Sequence, residues 1–145
     1  MEAKQVVRMP KRQAMRAQLD KLVLTAQTVR RNAYAPYSKF SVGAAILTAD
    51  GDVFSGCNVE NASYGLSICA ERSAASAMVS DGQRRVLAIA VVTQSSPPSP
   101  PCGSCRQVLA EFAPNAVVVL ANTRGERQET TLGALLPQSF NKDYL

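Results

Sequence analysis

Apolar positions recur with two different periods along this chain, and the switches between them divide it into elements. From about Gln13 to Ala33, Leu19, Leu22, Val23, Ala26, Val29 and Ala33 fall mostly three or four residues apart, with Arg16, Lys21 and Arg30 on the wetter side. That is the spacing of an amphipathic helix with one buried stripe. Tyr34-Ala35-Pro36-Tyr37-Ser38 ends it, because a proline disfavours helical backbone in the residue before it. Phe40 to Leu47 is a compact apolar run and predicts a buried strand. Asp50-Gly51 supplies a hairpin turn, and Asp52 to Val59 predicts a second strand antiparallel to the first. Gly43-Ala44-Ala45 lacks bulk, which would let another backbone, or a ligand, come close.

A polar loop, Asn58 to Gly65, leaves that hairpin. Cys69 to Val79 predicts a helix, with Ala70, Ala74, Ala75 and Ala77 favouring it and Asp81-Gly82 ending it. Val86 to Thr93 is apolar almost throughout and predicts a central strand buried on both faces. Gln94 to Pro101, with four prolines and three serines, is a stiff connector within one domain. Gly103 to Phe112 predicts a helix stopped by Pro114, Val117 to Ala121 a strand, and Glu126 to Glu129 a strand pairing back after the Asn122–Gly125 turn. Leu132 to Leu136 is a short helix, and Phe140 to Leu145 a tail with two aromatics. This order predicts an α/β fold: a three-layer α/β/α sandwich around a mixed sheet of about five strands.

Length and charge narrow what such a fold does. A chain of 145 residues suits one domain with one core, here residues 13–145, preceded by a flexible basic tail at 1–12. Residues 1–21 carry net charge +4 and the remainder only +1. A nearly neutral body, with no basic run interleaved with aromatics, argues against a nucleic-acid groove. No apolar run approaches the roughly 20 residues that span a membrane. The first residues lack the apolar segment of a secretory signal, so a cytoplasmic, reducing location is expected, with the four cysteines as thiols and not disulfides.

There is no histidine. That removes Ser-His-Asp hydrolysis, Cys-His proteolysis and His-ligated metal sites. A general acid or base must then be a carboxylate, Lys, Tyr or Cys, and a transition-metal site must rest on sulfur. Cys69-Ala70-Glu71 opens one predicted helix and Pro101-Cys102-Gly103-Ser104-Cys105 opens another. Cys69, Cys102 and Cys105 could bind Zn²⁺ and leave its fourth position to water, with Glu71 leaning over that position as a proton carrier. Cys57 is a rival fourth ligand, which would close the site and make it structural. A redox pair of Cys102 and Cys105 is a further alternative, but it leaves Cys69-Ala70-Glu71 unexplained. Three thiolates overcharge the centre, and both ligand groups lie at helix N-termini, which favour negative charge. Arg72 and Arg106, each immediately after a ligand motif, could also donate hydrogen bonds to the sulfurs.

These residues closely resemble the small, homotetrameric cytidine deaminases, and share the pattern of zinc nucleobase deaminases generally. The likeness runs from roughly Tyr34 to Phe140. Its most specific parts are Phe40-Ser41-Val42-Gly43-Ala44-Ala45, Gly56-Cys57-Asn58-Val59-Glu60-Asn61-Ala62, Cys69-Ala70-Glu71-Arg72 and Pro101-Cys102-Gly103-Ser104-Cys105-Arg106-Gln107. The resemblance implies one Zn²⁺ per chain on Cys69, Cys102 and Cys105, with Glu71 as proton shuttle. It implies that the Ala70 N–H faces the pyrimidine carbonyl, that Asn58 and Glu60 hold the ribose 3′-hydroxyl, and that Phe40 packs against the nucleoside. Tyr64 and Phe140 match positions that reach across to a neighbouring subunit's site in a homotetramer. Pro100 stands where the family usually has Ser. The implied activity is hydrolytic deamination of cytidine and 2′-deoxycytidine in pyrimidine salvage. The alternatives are another cytosine nucleoside, such as a blasticidin-S-like antibiotic, or a non-catalytic structural zinc module.

Overall fold

The computed structural model describes residues 11–145. Its elements run in the predicted order: α1 (Lys11–Arg30), β1 (Gly43–Thr48), β2 (Val53–Cys57), α2 (Ala70–Ser80), β3 (Val86–Thr93), α3 (Gly103–Phe112), β4 (Val117–Asn122), β5 (Arg127–Thr131) and α4 (Leu132–Leu135). Single 3₁₀ turns lie at Tyr64–Leu66 and Lys142–Tyr144. The strands form one mixed sheet in the order β2-β1-β3-β4-β5, in which β3 and β4 are parallel and the other neighbours antiparallel.

Alternation along the strands creates three layers, since successive side chains point to opposite faces. Ala45, Leu47, Ala88, Ala90, Val92, Val119 and Ala121 form one face and bury Leu19, Leu22 and Ala26 of α1. Ala44, Ile46, Ile89, Val91, Val118 and Leu120 form the other and bury Met78 of α2, Leu109 of α3 and Leu132 of α4. The first face is rich in alanine, so α1 lies close to it. At Gly43 a Cβ would stand 2.0 Å from the Ala26 carbonyl oxygen. The missing bulk of Gly43-Ala44-Ala45 thus admits a helix backbone. Gly56 does the same for α2, where a Cβ would lie 2.5 Å from the Ala74 nitrogen and 2.9 Å from the Ala70 oxygen. The first turn of α2 is thereby pressed onto β2.

Several boundaries differ from the sequence expectation. Lys11 and Arg12, expected in the basic tail, form the first turn of α1, and residues 1–10 lie outside the described part. Phe40 to Val42 is not strand. Lys39 takes a left-handed backbone (φ 59), and the Asn58 side chain bonds both the Phe40 carbonyl and the Val42 N–H. Val59 leaves β2 and forms isolated bridges to Tyr34 and Ile68. The last strand extends beyond Glu129 to Thr131, fully paired with β4. β3 is the middle strand and is buried along its length apart from Leu87.

Candidate active site and metal centre

Two helix N-termini meet at the site. Cys69 is the residue capping α2 and Cys102 the residue capping α3; both have extended backbone, and neither side chain caps its own helix. Their sulfurs are therefore free to face one another. Cys105, in the first turn of α3, is fully buried. The three Sγ atoms all lie within 4.8 Å of one another, and Cys69 and Cys102 are 3.9 Å apart. Tetrahedral Zn²⁺ with bonds near 2.3 Å requires sulfurs about 3.8 Å apart, so the donor set fits that ion. Cys57 does not join the cluster; it sits in β2 opposite Gly43. The closed four-sulfur alternative is thus absent among the described residues.

The electrostatics point the same way. Three sulfurs this close cannot all carry charge unaided. The Cys69 thiol is lowered to about 5 by the hydrogen bond with Cys105 and by Arg72, against the opposing effect of burial. The Cys105 thiol is pushed up, first by its bond to Cys69, then by burial and the Glu71 charge. Arg72 Nη2 lies 3.6 Å from Cys69 Sγ and 3.5 Å from the Ser67 carbonyl. Its own proton affinity is raised by that contact with Cys69. Arg106 does not reach the sulfurs. It donates to the carbonyls of Pro101 and Leu135, each at 2.8 Å. One residue along a helix turns about 100°, so Arg106 cannot point with Cys105.

Glu71 is 4% exposed, with Oε2 3.7 Å from Cys105 Sγ. Burial raises its pKa, and the Cys69 charge adds to this, outweighing its backbone bond, the Cys105 contact and Arg72. The carboxylate borders a cavity of about 310 Å³, within the usual range of about 300–1,000 Å³ for small-molecule sites. Cys69, Ala70, Cys102, Phe40, Asn58 and Glu60 line the same cavity.

The loops are drawn together by backbone pairing. Val59 and Ile68 exchange hydrogen bonds of 2.9 Å, which sets the start of α2 beside Asn58 and Glu60. Both polar side chains also hold the turn before β1. Asn58 accepts from the Val42 N–H and donates to the Phe40 carbonyl, each at 2.8 Å. Glu60 accepts from the N–H groups of Tyr37 (3.1 Å) and Ser38 (3.2 Å). Burial pushes the Glu60 carboxyl up, but the Ser38 and Tyr37 bonds and nearby Lys39 outweigh it and hold the group below its ordinary value.

Tyr64 and Phe140 do not line the cavity of their own chain. Tyr64 packs edge-to-face on Tyr37 at 5.7 Å and is 74% exposed; Phe140 stacks on Tyr144 at 5.8 Å and is 60% exposed. Sequence reasoning misses Ser38, Ser67, Thr93 and Ser99, which all line the cavity. The one signal for them is adjacency, since Ser67 precedes Cys69 and Ser99 precedes Cys102 by only a few residues.

Known proteins resemble this chain in sequence and in fold. The sequence profile of the "Cytidine and deoxycytidylate deaminase zinc-binding region" matches residues 16–121. A cytidine deaminase of Halalkalibacterium halodurans is 51% identical over 123 residues, 84% of this chain and 93% of the relative. One of Sporosarcina psychrophila is 48% identical over 128 residues, 88% of this chain and 94% of the relative. The crystal structure of cytidine deaminase from Burkholderia pseudomallei superimposes with a TM-score of 0.81 at 51% identity, covering 83% of this chain and 98% of that one. With these likenesses in sequence and fold, and with three sulfurs spaced for a metal ion, the chain belongs to the zinc-binding cytidine and deoxycytidylate deaminase family.

Proposed function

We propose that this chain hydrolytically deaminates cytidine and 2′-deoxycytidine, giving uridine or 2′-deoxyuridine and ammonia, as a step of pyrimidine salvage. One feature supports this above all: a buried carboxylate, Glu71, beside three sulfurs spaced for a tetrahedral ion and bordering a cavity of small-molecule size. Cys69, Cys102 and Cys105 would hold one Zn²⁺ per chain, which when bound lowers the pKa of water at its open position and supplies a nucleophile at neutral pH.

Glu71 then carries the protons. It accepts one from the attacking water and delivers it to N3 of the cytosine as the C4–O bond forms. It accepts the second and delivers it to the amino group as the C4–N bond breaks. The two protons of water thus end on N3 and in ammonia. A carboxylate whose proton affinity is raised by burial suits both halves of this cycle. Arg72, donating to Cys69, reduces the charge that three thiolates would otherwise impose.

In the same reading, the Ala70 N–H meets the pyrimidine carbonyl, Phe40 packs on the nucleoside, and Asn58 and Glu60 grip the ribose 3′-hydroxyl. Tyr64 and Phe140, both exposed on their own chain, reach into neighbouring sites of a homotetramer. No helix among the described residues is long and apolar enough to cross a membrane, and a cytoplasmic location with the thiols reduced belongs to this proposal.

The test monitors ultraviolet absorbance of cytidine and 2′-deoxycytidine with zinc-loaded protein, alongside Glu71→Gln. Turnover of both by wild type and a loss of at least about 10²–10⁴-fold in the variant are expected. A zinc-loaded wild type inert on both nucleosides refutes the substrate. A fully active Glu71→Gln refutes the proton shuttle.

A further inference from the structure

The turn that carries Phe40 is held by more than Asn58 and Glu60. Lys39 has φ 59, a left-handed conformation that residues with a Cβ adopt only at a cost. Its carbonyl accepts a 2.9 Å hydrogen bond from Gln94 Nε2. Gln94 Oε1 in turn accepts from Arg30 Nη2, and Arg30 Nε donates to the Ser41 carbonyl at 2.8 Å. One guanidinium and one amide therefore tie the carbonyls on either side of Phe40, whose own carbonyl is bound by Asn58. The charged donor also fixes which end of the Gln94 amide faces Lys39, since its oxygen is already taken.

The surroundings favour this use of Arg30. It is the last residue of α1, half-buried, and makes no ion pair among the described residues. It passes close to β1 because Gly43 has no side chain: a Cβ there would lie 2.7 Å from Arg30 Cβ and 2.8 Å from Arg30 N. Gln94 directly follows Thr93, the last residue of β3, which itself lines the cavity. The clamp thus joins the end of α1, the end of the middle strand and the turn bearing Phe40.

We propose that Arg30 and Gln94 are positioning residues: they hold the Lys39–Ser41 turn so that Phe40 is preset against the nucleoside, and so govern its affinity and not the chemical step. This rests on the nucleoside reading above. Presetting a loop in its bound form removes an ordering cost from binding, and the chemistry lies elsewhere, at Glu71.

The test uses the zinc-loaded full chain with Gln94→Leu, Gln94→Glu and Arg30→Lys. Gln94→Leu removes both bonds. Gln94→Glu keeps the acceptor for Arg30 but sets a carboxylate oxygen against the Lys39 carbonyl. Arg30→Lys keeps the charge but not the two-pronged donor. Hydrogen exchange without nucleoside reads residues 37–42 against β1 and β3, and cytidine kinetics separate KM from kcat. We expect exchange in 37–42 and KM each to rise about tenfold in Gln94→Leu and Gln94→Glu, with kcat within about twofold and both strands unchanged. Combining Arg30→Lys with Gln94→Leu should loosen the turn beyond Gln94→Leu alone, because the Arg30–Ser41 bond survives loss of Gln94, but by less than the sum of the two single changes, because they share the Arg30–Gln94 bond. Unchanged exchange in 37–42, or a fall in kcat with KM constant, overturns the proposal. If Gln94→Leu does not fold, Gln94→Glu carries the same comparison. A wild type inert on nucleosides refutes the proposed function instead, while the exchange result still decides whether the clamp exists.

Discussion

Replacing Gly43 by alanine should unseat α1 from the sheet. The added Cβ would lie 2.0 Å from the Ala26 carbonyl oxygen, 2.7 Å from Arg30 Cβ and 2.8 Å from Arg30 N. Ordinary contacts between such atoms are about 3.5 Å, so the helix would have to lift by about 1.5 Å. The nearest clash is with backbone, and no rotation of a side chain relieves it. Lifting α1 loosens the contact that buries Leu19, Leu22 and Ala26. Overpacking typically costs about 1–3 kcal/mol, and a backbone-on-backbone clash belongs at the upper end, about 3 kcal/mol. For a domain of this size that corresponds to a fall in Tm of about 6–12 °C. The assay is thermal unfolding of zinc-loaded protein at one fixed concentration, because bound metal and association both shift Tm. Gly65→Ala is the control: no atom lies within 4 Å of its added Cβ, and a change within about 0.5 kcal/mol is expected. If the two variants melt within about 1 °C of each other, the close approach of α1 at Gly43 does not have the energetic weight given to it.

The metal centre yields three other expected outcomes. Arg72→Ala, which loses the donor on Cys69 Sγ, should hold zinc about 10–100-fold more weakly, as measured by competition with a chelator. Cys57→Ala should keep one zinc per chain by elemental analysis, whereas Cys102→Ser should lose it together with much of the stability that the metal contributes, because only Cys102 belongs to the sulfur cluster. In metal-free protein the raised pKa of Glu71 sets a sign. Its contribution to stability is fully present below its unfolded pKa and is lost as pH rises through the higher folded value. Urea titrations should therefore show Glu71→Gln gaining on wild type as pH rises from about 4 toward neutrality. A difference independent of pH would show that burial does not raise the Glu71 pKa.

Much of the site is legible in the sequence because its signals are short-range. Cys69 and Cys102 stand at the N-cap positions of helices, and a helix start is announced by the residue types of its own first turn. Asn58 and Glu60, two apart in an extended segment, do line the cavity together. Phe40 reads as strand because it continues an apolar run, yet its own carbonyl is held by the Asn58 side chain and those of Lys39 and Ser41 by Gln94 and Arg30, which no local period reveals. Arg72 and Arg106 each immediately follow a cysteine motif, three residues after Cys69 and four after Cys102, and only Arg72 meets sulfur. The difference lies in the side of each helix that faces the other, which depends on how α2 and α3 dock.

The sequence alone determined the kind of chemistry available. With no histidine, a transition-metal site here is left to cysteine sulfur and carboxylate oxygen, and the cysteine spacing points to sulfur with Glu71 as the carboxylate beside it. Apolar patterning, helix propensity and turn residues together also determined the order of helices and strands, since each acts over a few neighbouring residues. Tertiary structure alone decided what approaches Gly43, how Gln94 bonds Lys39 and Arg30, and that Cys57 stands apart from the other three thiols. Those outcomes depend on contacts between residues far apart in the chain. They are settled by how the layers close on one another, which no stretch of a few residues can encode.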